Sequence, residues 1–88
     1  MSTDYQDLIL ALNMALDGDW DSSHKIVQNM DLDVAKWIHA VLHKIEGDES
    51  NSKYWYTLCK LGSFEDYDNP NDELLHIIEH VNKLSFPE

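Results

Sequence analysis

The sequence predicts an all-α fold of about five helices in antiparallel hairpins, a short helical solenoid or bundle, and three observations carry that prediction. Apolar residues recur at helical spacing in every segment, and no stretch alternates with period two over strand length. The pairs Gly18-Asp19 and Gly47-Asp48 interrupt the helical pattern with a residue that tolerates a left-handed stop, followed by one that caps a new helix. The chain also matches itself without a gap at a shift of 29 residues.

Taken in order, Tyr5, Leu8, Ile9, Leu12 and Leu16 share one face of a first helix over about Asp4 to Asp17, with Thr3 and Gln6 spaced as a capping box. Asp19 then opens a short second helix, about Trp20 to Asn29, whose inner side carries Trp20, Ser23, Val27 and Met30, with His24 and Gln28 on its flank. Asp31 or Asp33 is placed to cap a third helix. Its core stripe is Val34, Trp37, Ile38, Val41, Leu42 and Ile45, and Gly47 ends it. The fourth helix, about Glu49 to Leu61, carries Trp55, Tyr56 and Cys59 on one side and Tyr54, Leu58 and Leu61 on another, a pattern that predicts burial between neighbours, with Gly62 as its stop. Phe64 and Tyr67 can pin the acidic loop SFEDYDN. Asn69 and Pro70 read as cap and first residue of a last helix whose buried face is Leu74, Leu75, Ile77, Ile78, Val81 and Leu84.

Eighty-eight residues make one domain, spanning 1–88, with a folding margin on the order of a few kcal/mol. Hydrophobic content of 43% argues for a folded core. Seventeen Asp and Glu against six Lys leave a net charge of −11, which disfavours nucleic acid and anionic membranes and permits a basic protein partner. The single Cys59, in apolar company, reads as an inert packed thiol; with no signal peptide or long apolar run, a cytoplasmic chain is the expectation.

The 29-residue self-match aligns Ile9 with Ile38, Ala11 with Ala40, Gly18 with Gly47, Asp19 with Asp48 and Ser23 with Ser52. Two helical hairpins with a small residue at the crossing, a glycine at the turn and an acid at the next N-terminus account for each match. A small residue ahead of a Gly-Asp turn, then Ser52, Trp55 and Tyr56, resembles the second half of a tetratricopeptide-type helix pair. GDWDSSH at 18–24 and WIHAVLHKIEGDESNSKYWY at 37–56 together resemble a family of small, uncharacterised, mainly bacterial helical proteins with a HAxLHxxEGDxxNAxYWY-like centre. The likeness covers under half of the chain. Ser52 stands where that family has alanine more often, and Leu58, Cys59 and Lys60 replace a more basic tail. The resemblance implies a helical fold, directs attention to His39, His43, Glu46, Asp48 and Asn51, and brings no catalytic assignment.

His39, His43 and Glu46, at i, i+4 and i+7, fall within an arc of about 60° on one helix face. Two imidazoles and a carboxylate suit zinc or another first-row divalent ion with a position left for water; a solvated face is the alternative, because the arc lies away from the apolar stripe. His24 is a candidate fourth ligand or a hydrogen-bonded border histidine. His76 and His80, near Glu79, repeat the i, i+4 spacing on the last helix. The zinc-protease spacing is absent, since Ala40 stands where its glutamate would be.

With no reaction signature in the chain, the first functional reading is a non-enzymatic module that binds a protein partner, with Tyr54, Trp55, Asp48 and Asn51 as binding residues. The second is a metal- or small-ligand-binding protein, extending to a hydrolase, built on His39, His43 and Glu46 with a divalent ion such as zinc as cofactor. A third is an acidic mimic of nucleic acid.

Overall fold

A computed structural model describes residues 3–84 and consists of helices α1 (Thr3–Leu16), α2 (Trp20–Val27), α3 (Asp33–Glu46), α4 (Glu49–Cys59) and α5 (Pro70–Leu84), with a 3-10 turn at Phe64–Asp66 before α5. The expected Thr3 and Gln6 capping box involves the Thr3 side chain, which lies outside the described residues. Helices α2, α3 and α4 each pack on the one before, and α5 returns to pack on α1 and α3. That return closes the chain into a bundle, the second of the two forms left open by the sequence. Tyr5 Oη donates to Asn82 Oδ1 at 3.0 Å and ties the two ends together.

The 29-residue repeat is structural. Gly18 and Gly47 have φ of 87° and 84°, the left-handed region in which a Cβ is strained. Asp19 N donates to Met14 O at 2.8 Å and Asp48 N to His43 O at 2.9 Å, while Gly18 N and Gly47 N each donate three residues back at 3.1 Å. These paired bonds are a Schellman ending to α1 and to α3. Asp19 Oδ1 then accepts from Ser22 N, and Asp48 Oδ1 from Asn51 N, both at 3.3 Å, which caps α2 and α4. The correspondence extends into the core. Ser23 Oγ donates to Ala11 O at 2.8 Å and Ser52 Oγ to Ala40 O at 2.7 Å, so each buried hydroxyl is spent across its own hairpin where the small alanine lets the helices approach. That bond gives Ser52 a structural reason to be serine.

Five local expectations are corrected. The second helix ends at Val27, two residues short of Asn29. The cap of α3 is Leu32, in extended backbone without a side-chain bond, and Asp33 is the first helical residue, so neither aspartate caps it. The fourth helix stops at Cys59, and Lys60, not Gly62, takes the left-handed conformation at φ 62°. Gly62 is small for another reason: a Cβ there would stand 3.0 Å from Trp37 Nε1. Nor is α4 buried all round. It packs chiefly on α3, burying Ser52, Tyr56 and Cys59, while Tyr54 is 57% exposed and Leu61 lies open. In α5, Leu75 and Leu84 are likewise exposed, and Glu73 joins Leu74, Ile77 and Val81 on the buried face.

The element surrounded by others is α3. It packs on α1, α2, α4 and α5, and every residue from Val34 to His43 except Lys36 is buried. Ile45, assigned to the core by spacing, is exposed. A helix enclosed in this way has no wet side along its middle, which decides the fate of its histidines.

Candidate metal centre

His39 and His43 are 5% and 7% exposed, so the alternative of a solvated face does not apply to them. α2 packs against the side of α3 that carries them and brings His24 with it. His24 Nε2 lies 3.1 Å from His39 Nε2. One potential ligand atom from each of His24, His39 and His43 falls within 4.8 Å of the other two. Ring centroids of the three imidazoles are separated by 4.6, 4.9 and 5.6 Å.

Two indoles frame the cluster. Trp20, one turn before His24, stacks on it with centroids 4.6 Å apart and planes 12° from parallel, and its Nε1 donates to Leu42 O at 2.6 Å. Trp55 of α4 stacks on His39 at 3.9 Å and 13°. Each indole therefore fixes the plane of one imidazole. The third imidazole is held by a hydrogen bond: His43 Nδ1 lies 2.5 Å from Glu46 Oε1. A carboxylate only accepts, so His43 carries a proton on Nδ1, and Nε2 is the nitrogen that a neutral ring offers as a ligand.

The surroundings disfavour the charged form of His24 and His39. Burial, with the neighbouring His24 and His43 adding to it, pushes the His39 imidazolium down from the ordinary 6.5 to about 4. Burial and His43 lower His24 as well, against an opposing pull from Glu46 and Asp21. Neutral imidazoles are the form that binds a first-row metal. His24 is half-buried and hydrogen-bonded to His39, as a border histidine would be, and it also lies within the cluster. The Glu46 carboxylate lies against His43 Nδ1. A second group, His43, Glu46 and Asp48, also lies within 4.8 Å, but its carboxylates are exposed and occupied by His43 and by the capping of α4.

The residues assigned to partner binding separate. Tyr54 is exposed and sits edge-on to the half-buried Trp55 at 5.5 Å. Asp48 and Asn51 bond to one another at the α4 N-terminus and serve the turn. His76 and His80 do not join the cluster; both rest edge-on against Trp37, at 5.8 and 5.6 Å. Cys59 is fully buried and donates to Tyr56 O at 3.4 Å, as a packed thiol should.

One polar centre has no counterpart in the expectations above. Glu73, with no exposed surface, accepts from Trp37 Nε1 at 2.9 Å, from Tyr56 Oη at 2.7 and 2.9 Å, and from Lys44 Nζ at 2.9 Å. Lys44 Nζ also donates to Tyr67 O at 3.1 Å and lies 5.0 Å from the ring centroids of both Tyr56 and Phe64. Burial and the Glu73 carboxylate raise the Tyr56 hydroxyl above its ordinary range, so it remains a donor. The signal was register: Glu73 precedes Ile77 and Val81 by four and eight residues, and Lys44 follows Trp37 and Val41 by seven and three. With all its bonds satisfied and no exposed surface, this carboxylate clasps α3, α4 and α5 together.

Comparison of the chain with protein-family models, with curated proteins and with solved structures finds no match. Among the described residues no helix is long and apolar enough to cross a membrane. The observations establish a small all-helical protein whose repeat breaks where its polar cluster lies: His39 and His43 correspond to Leu10 and Met14 in the first hairpin.

Proposed function

We propose that the protein binds a first-row divalent metal ion, zinc being the reference case, through His24, His39 and His43. The observation that carries this reading is the convergence of three imidazoles from two helices, each held in orientation by a separate partner. Orientation of a ligating imidazole by a carboxylate on its other nitrogen is what metal sites require of their surroundings. Zn–N bonds of about 2.0–2.1 Å place the nitrogens of a tetrahedral site roughly 3.3 Å apart. The His24 and His39 nitrogens already stand at 3.1 Å, and one ligand atom of His43 lies within 4.8 Å of both rings' ligand atoms. The motif resemblance of residues 37–56 fits the same reading, since His39, His43, Glu46, the Gly-Asp turn and Trp55 all lie within it.

The test is elemental analysis of protein purified without a histidine tag, followed by zinc titration. One equivalent of metal should bind, and His24→Ala, His39→Ala and His43→Ala should each abolish stoichiometric binding. An affinity no tighter than that of a single surface histidine pair would end the proposal.

A second reading, a helical module for a protein partner, is favoured by one observation. Tyr54 presents a 57% exposed ring beside Trp55 on the open side of α4, in a chain whose charge suits a basic partner. Affinity capture with the unmodified chain and with Tyr54→Ala addresses it: loss of a bound protein on that substitution supports the module, and equal capture by both removes Tyr54 from it.

A further inference from the structure

Three imidazoles fill three positions of a tetrahedral ion, and the surroundings of the cluster bear on the fourth. Two carboxylates that group with His43 are committed elsewhere. Glu46 Oε1 accepts from His43 Nδ1, and Asp48 accepts from Asn51 N and Nδ2 at 3.3 and 3.4 Å while capping α4. Among the described residues, the ligand atoms grouped with those of His24 and His39 come from His43 alone. Cys59, the one thiol, is buried and bonded within its own helix.

Charge points the same way. Three neutral imidazole ligands leave the double positive charge of the ion uncompensated in its own coordination shell, since Glu46 and Asp21 act on the cluster from outside it. A negatively charged or readily ionised fourth ligand is the natural complement; metal-bound water ionises near neutral pH for this reason. Access exists on one side, because His24, Trp20 and Trp55 are each only half-buried whereas His39 and His43 are enclosed.

We infer that a metal held by His24, His39 and His43 keeps its fourth position open for an exogenous small anion, hydroxide in the resting state, with Glu46 a positioning residue behind His43 and not a ligand. The inference rests on the metal reading above and specifies the kind of site: one that exchanges ligands, as opposed to a closed structural centre.

Cobalt(II) is the probe, because its visible absorption reports coordination number and ligand exchange, and azide is the test anion. One equivalent of cobalt should give visible bands, and azide should shift them with saturable one-to-one behaviour. Glu46→Gln keeps an acceptor for His43 Nδ1 but loses the charge; it should retain the azide shift while cobalt affinity falls by about 10- to 100-fold, the range for a second-layer partner of a metal-bound histidine. Circular dichroism of this exposed-site variant checks that it is folded. Cobalt bands that azide leaves unchanged in the parent overturn the inference while leaving the metal centre standing. An azide shift in Glu46→Gln but not in the parent also overturns it, by identifying Glu46 as the fourth ligand. Absence of any cobalt binding removes the centre itself and the inference with it.

Discussion

Replacing Lys44 by methionine keeps the aliphatic stem and removes the charge that faces Glu73 in the interior. The Lys44 side chain is 8% exposed and that of Glu73 is 0%, so the carboxylate left behind cannot recruit bulk water. Breaking such a pair from one side costs about 3–5 kcal/mol, because a buried charge is left without its counterion. Tyr56 and Trp37 still donate to Glu73 and hold the loss toward the lower end. For a chain of this size the total stability is on the order of 4–13 kcal/mol, so the substitution should remove a large part of it. The double variant Lys44→Met, Glu73→Gln should recover at least about 1 kcal/mol of that loss. Its amide oxygen still accepts from Tyr56 and Trp37, and no uncompensated charge is left in the interior. Urea unfolding followed by circular dichroism measures all four corners of the cycle. Should Lys44→Met not fold, Tyr56→Phe reports on the same clasp, with an expected loss of about 1.5–3 kcal/mol for a bond to a charged acceptor. Lys44→Met and Tyr56→Phe both within 0.5 kcal/mol of the parent, an experimental threshold of about the size of a neutral surface substitution, would refute the clasp.

Three further outcomes are expected. In metal-free protein, stability should fall with acid. His39, facing His24 on α2, His43 on its own helix and the Trp55 ring on α4, is held at about 4 against an ordinary 6.5. The unfolded chain therefore gains its proton first: stability is fully present above 6.5, declines as pH falls toward 4, and the loss from this group reaches about 3 kcal/mol. His39→Gln should flatten that stretch of the pH profile, and an unchanged slope in urea titrations would contradict the assignment. Gly18→Ala and Gly47→Ala should each cost about 1–2 kcal/mol, from backbone strain alone since a Cβ meets nothing within 4 Å at either position, and Asp19→Ala and Asp48→Ala about 0.5–2 kcal/mol. Glycine variants with unaltered urea midpoints would count against the paired hairpins. Gly62→Ala should cost about 1–3 kcal/mol for a different reason, the contact 3.0 Å from a Trp37 nitrogen already bonded to Glu73, and a neutral result would mean that the indole yields.

Local chemistry made the helices and both hairpins legible. Gly-Asp at 18–19 and 47–48, the alanines at 11 and 40 and the serines at 23 and 52 each answer to forces acting within one hairpin, so the repeat could be read in one dimension and reappears as matching backbone angles and matching hydrogen bonds. Half of the candidate centre was legible in the same way, because i, i+4 spacing alone puts His39 and His43 on one line. Whether that line was wet or buried depended on α2 and α4 closing over α3, and a periodicity argument treats a helix as having one inner face. Only that closure brought His24 to His39 across 15 residues of sequence and set Trp20 and Trp55 against the imidazoles. The buried carboxylate is the plainest case. Glu73 is tolerated on an apolar face because Lys44, Trp37 and Tyr56 arrive from two other helices, 29, 36 and 17 residues away. The partners of a buried charge are supplied by tertiary packing, and no pattern within α5 announces them.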